Sequence, residues 1–219
     1  MDIHQIETSL NNPDFQYRLK AIASLKNYTG EVAVPLLLSK LHDSEFLVRT
    51  FVARELSKHQ TAESFAALLE LMKFDNTPNV RAEAANSLSL FGKVAASHLV
   101  VTFFQDDHWL VRRSILAALI DTEECHSELF EVCVEALAGE DLSVQEDAVD
   151  AMGTLAGTTQ QSSALSQLLP LASSDAALIR THVARALKHF DDPQAKAALN
   201  QLRQDPHHQV VAAALENLV

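Results

Sequence analysis

The sequence predicts an all-α protein, a right-handed α-solenoid of about seven helical hairpins. A segment with helical periodicity recurs seven times in the 219 residues, at intervals of 31 to 35 residues. Only 5 Gly and 6 Pro are present, fewer turn-forming residues than an all-β fold of this length needs. Apolar residues make up 47% of the chain, which is typical of a globular protein.

Each copy of the repeated segment places apolar residues at three positions, four residues apart. The first position holds Tyr17, Val48, Val80, Val111, Val144, Ile179 and Val210. The second holds Ala21, Val52, Ala84, Ile115, Ala148, Val183 and Ala214. The third holds Leu25, Leu56, Leu88, Leu119, Met152, Leu187 and Leu218. Residues at this spacing share one face of a helix, so we expect the three positions to be buried.

A further helical segment precedes each copy and completes a hairpin with it. The predicted first helices include residues 3–10, 31–41, 62–73, 94–104, 126–138 and 160–172. We expect Gly30, Gly92 and Gly157 to end helices in the left-handed conformation.

One hairpin cannot bury its apolar stripe alone, so neighbouring hairpins are expected to stack into one domain over residues 1–219. The predicted repeats are approximately 1–28, 29–59, 60–92, 93–122, 123–157, 158–190 and 191–219, and Val219 closes the last hairpin.

An arginine follows the first apolar position in five copies: Arg18, Arg49, Arg81, Arg112 and Arg180. The other two copies have Gln145 and Val211 there. Loop acids such as Asp43, Asp75 and Asp106 recur at the same interval, so the structural interpretation is that each arginine bridges adjacent repeats. The functional alternative is a row of cations for an anionic ligand.

The segment that runs from Asp106-Asp107-His108-Trp109 through Val111-Arg112 to Ala118-Leu119 resembles the HEAT-like repeat of the phycobilisome lyase family. Residues 33–38 and 190–195 are similar to cyanobacterial members of this family. The family includes bilin lyase subunits, a phycobilisome-degradation protein and a HEAT-repeat partner of an iron–sulfur scaffold protein. The resemblance covers the whole chain and implies a HEAT-like solenoid.

The resemblance implies a non-catalytic scaffold that binds proteins, acting on phycobilisomes or phycobiliproteins. Two alternatives remain: a bilin lyase, or lyase subunit, that attaches or removes a tetrapyrrole, and an assembly partner in iron–sulfur cluster delivery. The sequence has no nucleophile elbow, phosphate loop or His-Glu-x-x-His motif, which favours a protein without catalytic activity. An enzyme of this family would be a phycobilin lyase.

The charge distribution indicates which class of partner the chain can bind. The net charge is −12, and residues 114–179 contain twelve acidic residues and no Lys or Arg. This pattern excludes a nucleic-acid binder, which needs a basic surface, and favours a protein partner, such as a phycobiliprotein or an iron–sulfur scaffold protein. The N-terminus shows no signal-peptide pattern, no segment is predicted to cross a membrane, and two cysteines indicate a reducing, cytoplasmic setting.

Candidate partner-binding residues lie just off the buried stripe or in the acidic segment. They are Phe51, Arg54, Arg113, Glu124, Glu128, Glu131, Asp147, Asp150, His182 and Arg185. The acidic residues among them are expected to steer a partner, with a solvated face as the structural alternative. We expect the single Trp109 to pack over the start of a helix rather than to form a ligand platform.

The two cysteines are the candidates for a cofactor site. Cys125 and Cys133 are eight residues apart, which is not a zinc-binding spacing. Cys133 is expected to be a buried apolar residue, and Cys125 to be more exposed. No cofactor is predicted, and a thiolate that holds phycocyanobilin or an iron–sulfur cluster is the alternative.

Overall fold

The computed structural model of the chain describes residues 1–216, and these residues form helices and loops without a strand. Within residues 1–216, fourteen α-helices pair into seven hairpins, so the all-α solenoid predicted from the repeat is confirmed. Leu218 and Val219, assigned above to the last hairpin, lie outside the described residues. No helix within residues 1–216 is long and apolar enough to cross a lipid bilayer.

The helices group into two compact units, residues 1–122 and residues 123–219. Unit 1 contains α1 (Ile3–Leu10), α2 (Phe15–Ser24), α3 (Gly30–Leu38), α4 (Phe46–Leu56), α5 (Ala62–Phe74), α6 (Pro78–Leu88), α7 (Lys93–Gln105) and α8 (Trp109–Asp121). Unit 2 contains α9 (His126–Ala138), α10 (Leu142–Gly153), α11 (Gln161–Leu171), α12 (Ala177–Leu187), α13 (Pro193–Leu202) and α14 (His208–Leu215). The boundary coincides with the predicted boundary between repeats four and five. A single domain over the whole chain stays a prediction.

Side chains at the loop ends start several helices. Asp2 accepts a hydrogen bond from the backbone N–H of Gln5, whose side chain accepts one in return from the N–H of Asp2. Asp141 caps α10 in a similar way, through the N–H of Val144. Such caps satisfy backbone donors that have no partner within the helix, so the loop acids fix where these helices begin.

The three apolar positions of the repeat form the core of each unit. All second positions and all described third positions are at most 1% exposed, which confirms the predicted stripe. Tyr17 is the exception at the first position, because it is 50% exposed and lies beside the ammonium group of Lys20, 5.6 Å from the ring centroid.

Two local predictions were wrong. Gly30 does not end a helix, since it is the first residue of α3 and has no positive φ, whereas Gly92 and Gly157 have φ of 67° and 77° as predicted. Helix α3 ends at Leu38 rather than at residue 41. The chain tightens there, because the N–H of Leu41 bonds to the carbonyl of Leu38, only three residues earlier.

The second helices of the hairpins pack directly against one another within each unit. In unit 1, α2, α4, α6 and α8 form a continuous layer, and in unit 2 α10, α12 and α14 do the same. The first helices α3, α5 and α7 contact one another far less. The second helices therefore set the spacing between repeats.

Buried arginine side chains join consecutive hairpins, and Arg49 illustrates the geometry. Its guanidinium donates two hydrogen bonds to the carboxylate of Asp75, with Nε–Oδ2 and Nη2–Oδ1 distances of 2.6 and 2.9 Å. A third bond of 2.7 Å reaches the backbone carbonyl of Asp43. Asp75 in turn accepts a bond from the N–H of Thr77, just before α6. The arginine thus joins its own loop to the next loop.

The same bridge recurs along both units. The ion pairs Arg18–Asp43, Arg81–Asp106 and Arg180–Asp205 have N–O distances of 2.9, 2.6 and 2.7 Å. The structural interpretation of the arginine row is therefore confirmed for these residues. Gln145 keeps only part of the arrangement, since its side chain donates to the carbonyl of Gly139, 2.6 Å away.

These bridges are almost excluded from water. The side chains of Arg49 and Asp75 are 10% and 5% exposed. The hydrogen bond that Arg49 donates to Asp75 raises the pKa of Arg49, and the hydrogen bond that Asp205 accepts from Arg180 lowers the pKa of Asp205. Loss of one partner leaves the other charge buried and uncompensated, which costs far more than loss of an exposed pair.

We therefore expect Arg49→Gln to destabilise the chain by about 3 kcal/mol, because the carboxylate of Asp75 then lacks its cation. The measurement is the free energy of unfolding from urea denaturation followed by circular dichroism. Arg49→Gln combined with Asp75→Asn should recover part of this loss.

Arg54→Gln is the matched control on the same helix. The pair that Arg54 forms with Glu83 is half exposed on the arginine side, so its loss should cost less than about 1 kcal/mol. Equal effects of Arg49→Gln and Arg54→Gln would contradict the structural role of the buried bridge.

Candidate functional site

A second row of polar pairs lies on the second helices, and it is partly exposed. Its positions are the third and sixth residues after the first apolar position of each repeat. The pairs are Arg54–Glu83 in unit 1 and Asp150–His182 in unit 2. In both, the sixth residue of one repeat contacts the third residue of the next. We call these four residues the exposed pair row.

In unit 1, Arg54 on α4 reaches across to Glu83 on α6. Its Nε and Nη2 donate to the two carboxylate oxygens at 2.9 and 3.0 Å. The guanidinium carbon also lies 5.4 Å from the ring centroid of Phe51. The hydrogen bond to Glu83 raises the pKa of Arg54. An aromatic ring, a cation and an anion are thus held together on one surface.

In unit 2, His182 on α12 contacts two acids of α10. Its Nδ1 lies 2.9 Å from both carboxylate oxygens of Asp150, and its Nε2 lies 3.9 Å from the carboxylate of Glu146. Asp147 is half-buried on the same helix. Two carboxylates, those of Asp150 and Glu146, thus contact one imidazole.

Arg185 lies one turn beyond His182 on α12 and is 48% exposed. Its Nε is 3.7 Å from the carboxylate of Glu216, and Lys188 Nζ is 3.6 Å from the same carboxylate. The predicted partner-binding residues Asp147, Asp150, His182 and Arg185 therefore lie on adjacent helices of unit 2.

Trp109 does not pack as predicted. It is the first residue of α8 and remains 44% exposed, so the expected packing over the helix start is incomplete. The guanidinium carbon of Arg113 lies 5.9 Å from the centroid of the indole ring. The imidazole of His108 stacks on the indole, with the two ring centroids 5.9 Å apart. The indole is therefore held by polar neighbours and keeps accessible surface.

The acidic candidates lie on a different helix. Glu128 and Glu131 are on α9, the first helix of its hairpin, and Glu124 is in the preceding loop with a φ of 60°. Glu124 and Glu131 are exposed and Glu128 is half-buried. The structure therefore separates these acids in the fold from Asp147 and Asp150, which lie on α10.

Both cysteines are buried, so the expectation that Cys125 is more exposed was wrong. Cys125 is 1% exposed at the start of α9, and Cys133 is fully buried within that helix. Burial raises the pKa of the Cys133 thiol. Among residues 1–216, no group of three or more His, Cys, Asp or Glu is arranged to hold a metal ion. The geometry offers neither thiol to a bilin or an iron–sulfur cluster at the surface.

The structure has two surface features that were not predicted from the sequence. Helix α7 exposes Val94, Val101 and Phe104, which are 65%, 46% and 44% exposed. Their spacing of seven and three residues places them on one face of the helix. Because α7 is apolar on several sides, the sequence did not show which of its faces is exposed. The second feature is a basic pocket at the end of unit 2, whose residues come from the consecutive helices α12, α13 and α14 and the loops beside them.

Comparison with known proteins identifies the repeat. The family model of HEAT repeats matches residues 5–89, 34–120 and 126–219. Among curated proteins, no sequence matches the chain.

Several solved structures have the same fold at low sequence identity. YibA of Escherichia coli aligns with a TM-score of 0.66 and 15% identity, over 97% of this chain and 80% of YibA. The complex of CpcE and CpcF of phycocyanin lyase from Nostoc aligns with a TM-score of 0.56 and 19% identity, over 100% of this chain and 95% of the matched chain. A designed armadillo repeat protein in complex with the peptide (KR)4 aligns with a TM-score of 0.59 and 19% identity, over 87% and 100% of the two chains.

The burial of the thiols gives a direct test of the cysteine geometry. We expect neither Cys125 nor Cys133 to react with Ellman's reagent in the native protein at pH 8, because both side chains are inaccessible. Two thiols per chain should react after unfolding in guanidinium chloride, which serves as the control. Rapid modification of one thiol in the native protein would contradict this placement.

Proposed function

Because the chain belongs to the HEAT-repeat family, we propose that it is a non-catalytic scaffold that binds a protein partner of the phycobilisome. The observation that carries this proposal is the exposed pair row. It places charged side chains at equivalent positions of the second helices, above a stripe that is fully buried. Surface pairs contribute only about 0–1 kcal/mol each to stability. The half-exposed members, Arg54 and Asp150, are therefore the side chains that a partner can reach.

Charge defines the kind of segment that each surface would accept. Glu146, Asp147 and Asp150 on α10 make this surface of unit 2 acidic. Glu128 and Glu131 make a separate acidic surface on α9. A basic, extended segment of the partner fits such a surface. The designed armadillo repeat protein, which has the same kind of fold, is bound to an alternating Lys-Arg peptide, and this supports the proposed mode.

The phycobilisome is proposed as the source of the partner on two grounds. The repeat resembles that of the phycobilisome lyase family, and the phycocyanin lyase complex shares the fold over the whole of this chain. A phycobiliprotein is the partner that both grounds favour.

A bilin lyase is the second candidate function, favoured by the same structural likeness to phycocyanin lyase. Incubation of the chain with phycocyanobilin and an apo-phycobiliprotein separates the two proposals. A scaffold gives no covalent adduct, whereas a lyase gives a bilin that remains attached to the protein after denaturing electrophoresis.

An assembly partner in iron–sulfur delivery is less well supported, because Cys125 and Cys133 are both buried. Such a partner need not ligate the cluster itself. Binding to an iron–sulfur scaffold protein, in preference to a phycobiliprotein, would favour this alternative.

The acidic residues supply the test of the binding surface. The triple variant Glu124→Gln, Glu128→Gln, Glu131→Gln should slow association with phycobiliprotein and flatten the dependence of the association rate on salt, because these charges steer the encounter. The variant Asp147→Asn, Asp150→Asn should weaken equilibrium binding by about 1 kcal/mol for each lost charge pair. Surface plasmon resonance over a range of salt concentrations measures both effects.

A variant with Glu31, Glu63 and Glu70 changed to Gln removes the same charge from the first helices of unit 1 and serves as the control. Its association rate should stay close to that of the wild type. If the triple acidic variant and this control behave alike, α9 is only a solvated face. If neither α9 nor α10 affects binding, the proposed surface is wrong.

A further inference from the structure

An open pocket of about 500 Å³ lies in unit 2, where the ends of α12 and α14 meet α13. Four cationic side chains line it, those of Arg185, Lys188, Lys196 and Arg203. Glu216 is the only carboxylate among the described residues that line it. A basic cavity is unexpected in a chain with a net charge of −12.

Two nitrogens of this pocket are buried without a hydrogen-bond acceptor. They are Lys188 Nζ and Arg203 Nε. The Nη1 of Arg203 donates to the side chain of Asn200 at 2.8 Å, which leaves Nε unsatisfied. Lys188 Nζ lies 3.6 Å from Glu216, beyond hydrogen-bond distance. Buried donors without acceptors are rare in folded proteins and are costly when they carry charge, so an acceptor is expected here.

The local charge is not balanced. Lys196 forms an ion pair with Asp191, and both side chains are well exposed. Arg185 and Lys188 approach a single carboxylate, that of Glu216. Arg203 forms no ion pair within the described residues. Among the described residues, the pocket thus has three cations, Arg185, Lys188 and Arg203, and one carboxylate, Glu216, to balance them.

We propose that this pocket binds an organic anion, a molecule with a carboxylate or phosphate group on an apolar body. The anionic group accepts hydrogen bonds from Lys188 Nζ and Arg203 Nε. The apolar body packs on the pocket wall, to which Phe190 and Leu199 contribute. Glu216 competes for the same cations and moves aside when the anion binds. This site does not depend on the protein partner proposed above.

Isothermal titration calorimetry of the full chain at low ionic strength tests the site with phenyl phosphate, benzoate and inorganic phosphate. Phenyl phosphate should bind more tightly than inorganic phosphate, because only the former has an apolar body. The comparison of phenyl phosphate with benzoate tells whether phosphate or carboxylate is the preferred group.

Three variants then locate the binding. Lys188→Gln and Arg203→Gln should each weaken binding by about tenfold, the effect of one charge-assisted hydrogen bond. Glu216→Gln should tighten binding, since it removes the competing carboxylate. A damaged fold cannot produce tighter binding, so Glu216→Gln tests the site even if Lys188→Gln is unstable.

Lys93→Gln, an exposed lysine of unit 1, is the matched control and should leave the affinity unchanged. Absence of binding by all three anions would overturn the proposal. So would an affinity that is insensitive to both Lys188→Gln and Arg203→Gln, or a loss of affinity in Glu216→Gln.

Discussion

The buried bridge between an arginine and the aspartate of the next repeat is the interaction on which the arrangement of the hairpins depends. Arg49 binds the loop of its own hairpin through the carbonyl of Asp43 and the following loop through Asp75. Asp75 is at the same time a partner of the backbone near the start of α6, through the N–H of Thr77. One side chain therefore couples the position of two consecutive second helices. Apolar stacking alone is less directional and would tolerate sliding between the layers.

The second helices also have a surface that does not take part in stacking the repeats. The bridge and the apolar stripe hold the repeats together, so the residues at the third and sixth positions are not needed for stacking. Arg54 with Glu83, and Asp150 with His182, form pairs between equivalent positions in the two units, although their charges are arranged differently. Variation of residue type at these positions changes what the surface can bind without disturbing the core. A repeat protein acquires specificity in this way.

Features that repeat along the chain could be predicted from the sequence, whereas features that occur only once could not. The buried stripe and the arginine–aspartate bridges follow from residues that recur at a fixed interval. The stripe was predicted correctly apart from the exposed Tyr17, and the bridges were predicted correctly for Arg18, Arg49, Arg81 and Arg180. The burial of Cys125 was missed because its acidic neighbours in the sequence suggested exposure, whereas the side chain itself lies in the core. The contact between Asp150 and His182 depends on the relative height of two helices, which sequence spacing does not give. The pocket at Lys188 and Arg203 forms where α12 and α14 meet α13, so no pattern within one helix of the sequence predicts it.

Hydrogen–deuterium exchange of the Arg49→Gln variant, followed by mass spectrometry, tests most directly whether this arginine couples neighbouring hairpins. We expect faster exchange in two separate segments, residues 43–49 and residues 75–81, because the bridge joins both loops. Residues 106–112, held by the separate bridge from Arg81, should keep their protection. Faster exchange confined to residues 43–49, or unchanged exchange in both segments, would contradict the coupling.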